Sequence, residues 1–302
     1  MADDTALVPG SRVALVGLGR MGTPMGRRLL AAGYGVRGYD AEEAARARFA
    51  DTSGEEVAAT AVAAASGAQV LILMLPTSRS VRDVVTADGV LDALEPGAVV
   101  LDMGSSDPVE TRSLAPEVER HGRAFVDAPV SGGVAGAESG SLTIMVGGDP
   151  EAVGRCAPLL DALGSTVVHV GGVGAGHAVK ALNNLLSATH LLASVEVFRV
   201  GRRFGLDPQT MLAAINTSSG RSFSTETKLP RFVLTETFAA GFALRLMNKD
   251  VQTALGLAGA THTAVPLGGA VGALWDAAAA ELGPDADHTE IARWLERLPD
   301  PD

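Results

Sequence analysis

Short apolar runs alternate with alanine-rich helical stretches over the first half of the chain. Runs rich in β-branched residues predict strands, and several are apolar at successive positions, as a sheet covered on both faces requires. This alternation predicts a doubly wound α/β domain with parallel strands at least in its first half. The predicted strands cover residues 12–17, 35–39, 70–76, 98–104, 124–130, 142–148 and 166–171.

The pattern changes after Gly176, where no further strand pattern follows. Most of residues 177–205 are predicted to form one helix of roughly 27 residues, about 40 Å long at the rise of an α-helix. Further helices are predicted near residues 207–217, 242–261, 267–282 and 288–298, with Asp287 and Glu290 at capping-box spacing before the last one. We therefore expect an α/β domain over residues 11–173. An all-helical domain that begins with the long helix should occupy residues 174–302.

Composition indicates a globular protein, and net charge limits the partners that it can bind. The chain has 302 residues, 47% of them hydrophobic and 20% charged, which is ordinary for a globular protein with more than one core. Its formal net charge of −11 disfavours nucleic acid and anionic membranes as partners, because both carry negative charge.

The cysteine content and the apolar runs indicate the cellular compartment of the protein. Cys156 is the single cysteine, so the chain has no intrachain disulfide and no cysteine-built zinc site, and we interpret Cys156 as a buried small residue. The sequence has no uncharged apolar run of roughly 18 residues and its N-terminus is acidic, so it predicts neither a spanning helix nor a signal peptide. These features predict a cytoplasmic protein.

A glycine-rich loop is the clearest chemical motif. The segment RVALVGLGRMG, residues 12–22, places Gly17, Gly19 and Gly22 directly after the first predicted strand and at the start of a helix. The first glycine permits a tight turn, the second lets the backbone approach a pyrophosphate, and the third allows close helix packing. We expect this loop, including Leu18, Arg20 and Met21, to bind a dinucleotide.

Asp40 follows the second predicted strand, where an acidic side chain accepts hydrogen bonds from an adenosine ribose and repels a 2′-phosphate. It therefore favours NAD over NADP. Arg37, Arg46 and Arg48 keep the opposite preference open. The alternative interpretation is a plain glycine turn, with Asp40 as the N-cap of the helix that follows.

The segment GAGHAVKALNNLL, residues 174–186, places Lys180 and Asn184 one turn apart on the predicted long helix, with His177 one turn earlier. A solvated polar face is the simplest interpretation. The same face becomes apolar beyond Ser187, however, which indicates that the polar pair lies in a crevice. We therefore predict an active site at the domain junction, where a partly desolvated lysine transfers a proton and the amide binds substrate.

Two other segments carry candidate chemistry. In DAPVSGGVAGAESGSL, residues 127–142, Ser131 and the amides of Gly132 and Gly133 form a potential cradle for a small carboxylate, with a flexible turn as the alternative. Lys249 and Asp250 are adjacent in an apolar helix. Because helix neighbours point about 100° apart, we do not expect them to share one role, and a surface ion pair is their simplest interpretation.

Five motifs in order and register resemble those of the β-hydroxyacid dehydrogenase family: GLGRMGTPM, MLP, DAPVSGG, GAGHAVKALNN and NKD. The resemblance covers nearly the whole chain, from about residue 12 to residue 298. It implies a Rossmann-type N-terminal domain, a long interdomain helix and an all-α C-terminal domain that takes part in oligomerisation.

The resemblance also implies roles for individual residues. Lys180 matches the catalytic lysine and Asn184 the substrate-orienting amide, and Ser131, Gly132 and Gly133 match the segment that binds the substrate carboxylate. Asp250 matches an acidic residue close to the active site. The remaining matches are to cofactor-lining positions, at Leu75, Pro76, Ser80, Ser105 and Lys249, and Asp40 falls where NAD-preferring members carry an acid.

The chain departs from the family pattern in two places. Gly104 stands where a serine is common, and the segment from Asn216 to Phe232 is more polar than expected for a plain 3-hydroxyisobutyrate enzyme. Arg221, Ser222, Ser224 and Thr225 of this segment are candidates to contact a more hydroxylated or more acidic substrate. The sequence therefore leaves the particular 3-hydroxy acid open.

The resulting hypothesis is reversible hydride transfer between NAD and a short 3-hydroxy acid, or its semialdehyde, with Lys180 as general acid and base. No metal is expected, since the histidines and carboxylates lack ligand spacing. The predicted partners are the small substrate and further copies of the chain, as a homodimer or homotetramer. The alternatives are a catalytically silent NAD-binding sensor or scaffold, and a decarboxylating enzyme similar to 6-phosphogluconate dehydrogenase.

Overall fold

The computed structural model of the chain describes residues 6–54 and 57–299. Contacts within the chain divide it into two compact units. The first unit ends at Lys180 and the second begins at Ala181, so the division falls inside the long helix. The predicted domain boundary, between residues 173 and 174, lies at the start of the same helix.

The first unit is built on a sheet whose described strands number eight. They are β1 (Arg12–Val16), β2 (Gly35–Tyr39), β3 (Val70–Leu73), β4 (Val99–Asp102), β5 (Ala124–Asp127), β6 (Val130–Ser131), β7 (Leu142–Gly147) and β8 (Gly164–Gly171). From one edge the order is β2, β1, β3, β4, β5, β7, and the ladders joining β1 to β5 are all parallel. Strand β7 runs antiparallel to β5 and β6 and parallel to β8.

Helices cover both faces of this sheet. They are α1 (Gly22–Ala31), α2 (Glu43–Ser53), α3 (Ala61–Ala65), α4 (Ser78–Val85), α5 (Val90–Ala93), α6 (Pro108–Arg120), α7 (Gly133–Ser139) and α8 (Pro150–Leu163). Alternate residues of β1 enter different cores, with Val13 and Leu15 on one face and Ala14 and Val16 on the other. The doubly wound prediction is therefore confirmed, and the two cores explain why the strands are apolar at successive positions.

The second unit is helical in its described residues, apart from an isolated bridge between Ala243 and Asp287. Its helices are the shared α9 (Ala175–Phe204), α10 (Pro208–Asn216), a π-helical segment (Ser224–Val233), α11 (Leu244–Ala260), α12 (Pro266–Leu282), a 3₁₀ turn (His288–Glu290) and α13 (Ile291–Glu296). Leu191, Phe198, Trp275 and Trp294 belong to its core. The predictions of a long helix and an all-helical C-terminal region are confirmed.

Local features agree with the sequence in some places and differ in others. The capping box of Asp287 and Glu290 is present and caps the 3₁₀ turn. Residues 124–130 were expected to form one strand, but Pro129 lacks an N–H and separates β5 from β6, which nevertheless keep one register against β7. The π-helical segment was not predicted. Because it contains Pro230 and many polar residues, its sequence lacks the apolar period of an ordinary helix.

Two further features are the surroundings of the single cysteine and the length and apolarity of the helices. Cys156 is buried, as predicted, and burial raises the pKa of its thiol to about 12. Among the described residues, no helix combines the length and the apolarity that crossing a membrane requires.

Candidate active site

The loop between β1 and α1 gives each of its three glycines a different function. A Cβ atom on Gly17 would overlap the carbonyl oxygen of Met74, and a Cβ on Gly22 would overlap that of Gly17, so neither position tolerates a side chain. Gly17 also has a φ of +102°. By contrast, a Cβ on Gly19 would meet no described atom within 4 Å. The space above the second glycine is therefore open, as the approach of a pyrophosphate requires.

Asp40 is hydrogen-bonded directly to this loop. Its Oδ2 atom accepts from the backbone N–H of Leu18 at 2.7 Å, and its Oδ1 accepts from the N–H of Glu42 at 2.9 Å. The N-cap of α2 is Glu42, so the interpretation of Asp40 as that cap is wrong. The carboxylate lies at the end of β2 beside the glycine loop, where it fits the ribose of a dinucleotide.

The arginines near Asp40 differ in their surroundings. Arg46 donates to the backbone oxygen of Asp40 at 2.6 Å and lies over the ring of Tyr39, with 6.0 Å to the ring centroid. Arg37 donates to the carbonyl oxygen of Ala63 at 3.1 Å instead. Arg46 is thus the arginine fixed next to the predicted ribose position.

The other predicted cofactor residues of the first unit follow neighbouring strands. Leu75 and Pro76 come just after β3, and Ser105 comes just after β4. Ser80 lies in the first turn of α4, where its N–H and hydroxyl both contact the hydroxyl of Thr77, the N-cap of that helix. Since β1 to β4 are parallel, these residues, the glycine loop and Asp40 collect at one edge of the sheet, the carboxyl edge. Of the loop residues, Leu18 is buried, Met21 is half-buried and Arg20 is exposed.

The structure gives a steric reason for the departure at Gly104. A Cβ on this residue would lie 2.7 Å from the carbonyl oxygen of Leu75 and 3.1 Å from Oδ1 of Asp102. The backbone after β4 therefore packs too closely on the backbone after β3 to admit a serine without movement.

The predicted carboxylate cradle lies where β6 ends. Ser131 is the last residue of β6, Gly132 is the N-cap of α7 and Gly133 begins this seven-residue helix. Both glycines are exposed and have positive φ values, 127° and 62°. The segment therefore has a defined backbone conformation, and the binding of a carboxylate there stays a prediction.

A buried polar cluster that the sequence analysis missed lies at the same edge. Asp102 ends β4, Asp127 ends β5, and the two residues are paired in register across the ladder. His177, from the first turns of α9, is buried against both carboxylates, together with Thr111 of α6. The signal in the sequence was an aspartate at the end of each of two fully apolar strands. His177 therefore belongs to the core of the first unit rather than to an open polar face.

Lys180 is half-buried, and one helical turn along α9 the buried Asn184 donates to Oδ2 of Asp250 at 2.6 Å. The Nζ atom of Lys249 lies 3.1 Å from Oδ1 of the same aspartate, whose side chain is only 2% exposed. The two side chains do form an ion pair, but it does not lie on the surface, because the flexible lysine side chain reaches back to a buried carboxylate. Asp250 thus joins Asn184 to Lys249.

The polar segment before α11 serves local structure. Ser222 and Thr225 cap each other through reciprocal bonds between hydroxyls and backbone N–H groups, and Ser224 is buried. Arg221 is exposed and lies 3.7 Å from Glu226. Lys228 of this segment carried no signal in the sequence, and it is a buried lysine whose Nζ donates to Ser187 Oγ at 2.8 Å.

Comparisons with known proteins cover both units. A family profile described as the NAD binding domain of 6-phosphogluconate dehydrogenase matches residues 12–171. A second profile, described as NAD-binding of NADP-dependent 3-hydroxyisobutyrate dehydrogenase, matches residues 174–295.

Individual relatives agree with these profiles. Human mitochondrial 3-hydroxyisobutyrate dehydrogenase is 38% identical over 263 residues, which cover 85% of this chain and 78% of the relative. The 2-(hydroxymethyl)glutarate dehydrogenase of Eubacterium barkeri is 38% identical over 245 residues, 81% of each chain. The solved structure of Mycobacterium tuberculosis 3-hydroxyisobutyrate dehydrogenase with L-serine has a TM-score of 0.90 and 34% identity, covering 96% of this chain and all of that one.

Proposed function

Because the chain belongs to the β-hydroxyacid dehydrogenase family and is an NAD-dependent hydroxy acid oxidoreductase, we propose that Lys180 is its general acid and base. The proposed substrate is a short 3-hydroxy acid similar to 3-hydroxyisobutyrate, or the corresponding semialdehyde in the reverse direction. The observation that carries the proposal is the fixed amide of Asn184, held by the buried Asp250 one turn after Lys180 on α9.

Different residues of the chain have different roles in the proposed reaction. When bound, NAD accepts the hydride from the carbinol carbon. The neutral amine of Lys180 removes the hydroxyl proton in oxidation, and its ammonium returns that proton to the nascent alkoxide in reduction. Asn184 orients the hydroxyl group of the substrate, since an amide both donates and accepts without a change of charge.

The substrate carboxylate is assigned to Ser131 and the amides of Gly132 and Gly133. These groups lie where β6 ends and α7 begins, so backbone N–H groups at the start of the helix are available to an anion. Fixing the carboxylate and the hydroxyl together holds the reacting carbon in one orientation, which lowers the entropic part of the barrier.

The fit of NAD to the first unit rests on the glycine loop and Asp40. Open space above Gly19 suits a pyrophosphate, and the Asp40 carboxylate, held 2.7 Å from the N–H of Leu18, suits a ribose with free hydroxyl groups. The nearby Arg46 is the feature that favours use of NADP as well. NAD preference is therefore part of the proposal. The contact of Lys249 with the cofactor is also part of it.

A panel of substrates tests the proposal. Purified protein is mixed with NAD or NADP and with 3-hydroxyisobutyrate, 2-(hydroxymethyl)glutarate, 3-hydroxypropionate, L-serine or 6-phosphogluconate, and formation of the reduced nicotinamide is followed by its absorbance. We expect activity with a 3-hydroxy acid and higher kcat/KM with NAD. Activity confined to 6-phosphogluconate, with release of carbon dioxide, would instead support the decarboxylating alternative. Binding of NAD without any turnover would support the silent sensor.

Assembly and location complete the proposal. We expect a homodimer or homotetramer, as the family resemblance suggests, and we propose that it is located in the cytoplasm, whereas the human relative is a mitochondrial protein. Light scattering on the purified chain tests the assembly, with a monomeric mass as the contrary result.

A further inference from the structure

Two buried carboxylates lie side by side at the carboxyl edge of the sheet. The side chains of Asp102 and Asp127 are both 0% exposed, and the two residues are in-register partners at the ends of β4 and β5. Burial raises the pKa of Asp127, and the negative charge of Asp102 raises it further. Two adjacent negative charges in a dry interior destabilise the fold unless a positive group offsets them.

His177 occupies the position of such a group. Its Nε2 lies 3.6 Å from Oδ2 of Asp102 and its Nδ1 lies 3.8 Å from Oδ2 of Asp127, and its ring is fully buried. The charge of His177 opposes the upward shift of the Asp127 pKa. The imidazole therefore bridges the two carboxylates.

The hydroxyl of Thr111 fixes the proton on one ring nitrogen. This hydroxyl donates to the carbonyl oxygen of Asp107 at 2.9 Å, so toward His177 Nδ1, also at 2.9 Å, it acts as an acceptor. Nδ1 must then carry a hydrogen. Nε2 has no hydrogen-bond partner among the described residues and faces the Asp102 carboxylate. An N–H at Nε2 is attracted to that carboxylate, whereas a lone pair at Nε2 is repelled by it.

Each carboxylate also organises a separate backbone segment. Asp102 accepts from the N–H of Gly104 at 2.9 Å and from the hydroxyl of Ser106 at 2.7 Å, which closes the turn that carries Ser105. Asp127 accepts from the N–H groups of Gly174 and His177 at 2.7 Å and 2.8 Å. Gly174 directly precedes α9 and His177 lies in its first turn, so Asp127 caps the helix at its positive end.

The first turn of α9 is packed tightly on the sheet. A Cβ on Gly176 would lie 2.8 Å from the carbonyl oxygen of Asp127 and 2.9 Å from its Oδ2. Lys180 follows one turn after this contact on the same helix. Displacement of the helix start would therefore move the Lys180 side chain as well.

We propose that His177 is a positioning residue, whose buried ring joins Asp102 to Asp127 and thereby fixes the turn carrying Ser105 and the helix turn carrying Lys180. This inference depends on the proposed function, in which Lys180 transfers the proton, and on the match of Ser105 to a cofactor-lining position of the family. Among the described residues, no group of three or more His, Cys, Asp or Glu side chains has an arrangement that could hold a metal ion.

Variants of His177 test the proposal through the rate of the chemical step. His177→Leu removes both ring nitrogens. We expect the single-turnover rate of 3-hydroxy acid oxidation, per NADH-binding site, to fall about 10- to 100-fold, as small misplacements of reacting groups do. The KM for the hydroxy acid should change less than about threefold, because the contacts that bind the substrate equally in the ground state and in the transition state are kept. His177→Gln, whose neutral amide can still donate toward Asp102, should recover part of the rate.

A second measurement does not depend on activity. Hydrogen exchange of the Gly174 and His177 amides reports their bonds to Asp127, and we expect exchange about tenfold or more faster in His177→Leu than in the parent. His190→Leu is the matched control, because His190 is exposed on the same helix, and it should leave both the rate and the exchange unchanged. Thr111→Val is a milder variant for use if His177→Leu does not fold, and it should shift rate and exchange in the same direction by a smaller factor.

The outcomes separate this inference from the proposed function. Parental turnover per site and parental exchange in the folded His177 or Thr111 variants would overturn the inference. A lower melting temperature with parental turnover per NADH-binding site would show a structural role only, and would overturn it as well. If the parent oxidises no 3-hydroxy acid, the proposed function fails, and the exchange of the two amides still decides whether His177 fixes the start of α9.

Discussion

The side-chain amide of Asn184 donates a hydrogen bond of 2.6 Å to Oδ2 of Asp250, and both side chains are buried. A second amide–carboxylate pair, between Asn248 and Asp276, has a similar length of 2.8 Å but is exposed. The two pairs share their chemistry and differ in burial, so the effects of substitutions in the two pairs can be compared to measure how much burial of the bond contributes.

Substitution of Asp250 by alanine should affect both stability and activity. It leaves the buried amide of Asn184 without this acceptor, so we expect the free energy of unfolding to fall by about 1–3 kcal/mol. The kcat/KM for a 3-hydroxy acid should fall about tenfold or more, because the amide is no longer held in one orientation. Denaturant titrations and steady-state kinetics measure the two effects.

Asp276→Ala is the matched control for this prediction. The free energy of unfolding should change by no more than about 0.5 kcal/mol, as is usual for exposed positions. Equal losses in the two variants would mean that burial of the Asn184–Asp250 pair has no special effect.

Asp40 should govern the choice between NAD and NADP. Asp40→Asn keeps an oxygen that can accept from the N–H of Leu18 but removes the charge. We expect the ratio of kcat/KM with NADP to that with NAD to rise about tenfold or more, since like-charge juxtaposition costs several kcal/mol. Asp51→Asn, an exposed carboxylate on α2, should leave the ratio unchanged. An unaltered ratio in Asp40→Asn would show that the carboxylate does not face the 2′ position.

Restoring the serine common in the family at Gly104 should harm this chain. Its Cβ would lie 2.7 Å from the carbonyl oxygen of Leu75, so Gly104→Ser should lower the free energy of unfolding by about 1–3 kcal/mol through overpacking. It should also weaken NADH binding, measured by fluorescence. Gly154→Ala, at an exposed helical position with open space around it, should leave stability unchanged or raise it by up to about 1 kcal/mol. A stable Gly104→Ser variant would show that the two strand ends separate easily.

The pH dependence of stability should reveal the contribution of the Asp287 carboxylate. Burial raises the pKa of this carboxyl, but hydrogen bonds from His288 and from Thr289 outweigh that effect and lower the pKa overall. Because the pKa is lower in the folded state, the stabilisation is present above the unfolded value of about 3.9 and is lost as the pH falls toward the folded value.

Asp287→Asn tests this dependence. We expect its melting temperature to lie below that of the parent near neutral pH, and the difference to shrink progressively below about pH 4, where the unfolded parent takes up the proton. Calorimetry between neutral and acidic pH measures it. A difference that stays constant across this range would mean that the carboxylate charge contributes nothing.

The periodicity of apolar residues predicted the helices and strands whose own sequence carries the pattern of burial. Strands buried on both faces have apolar residues at successive positions, and the long helix keeps an apolar face past Ser187, so both were visible in the sequence. The π-helical segment was missed because its stability comes from tertiary contacts of buried residues such as Leu229 and Lys228. The break at Pro129 was missed because an apolar pattern does not distinguish a continuous strand from an interrupted one.

The residues of the candidate site that belong to sequence motifs were predictable from the sequence. Motif spacing identified the glycine loop, Asp40 and the Lys180–Asn184 pair. The cluster of Asp102, Asp127 and His177 was missed because the two aspartates are far apart in sequence and meet only through the parallel register of β4 and β5. Contacts of this kind depend on the sheet, and single-strand patterns do not contain them. The link from Asp250 to Asn184 was missed because the two residues lie on different helices, α11 and α9, and meet only in the folded chain.

Replacement of Lys180 tests the central claim most directly. Lys180→Met and Lys180→Arg are compared with the parent in single-turnover oxidation of 3-hydroxyisobutyrate, or of the best acid in the panel, at saturating NAD. We predict that both variants fold and bind NADH like the parent, while the rate falls by about 10²–10⁴ in each, because an arginine keeps the charge but does not exchange the proton. A folded Lys180→Met variant that reacts at a rate close to the parental one would contradict the account.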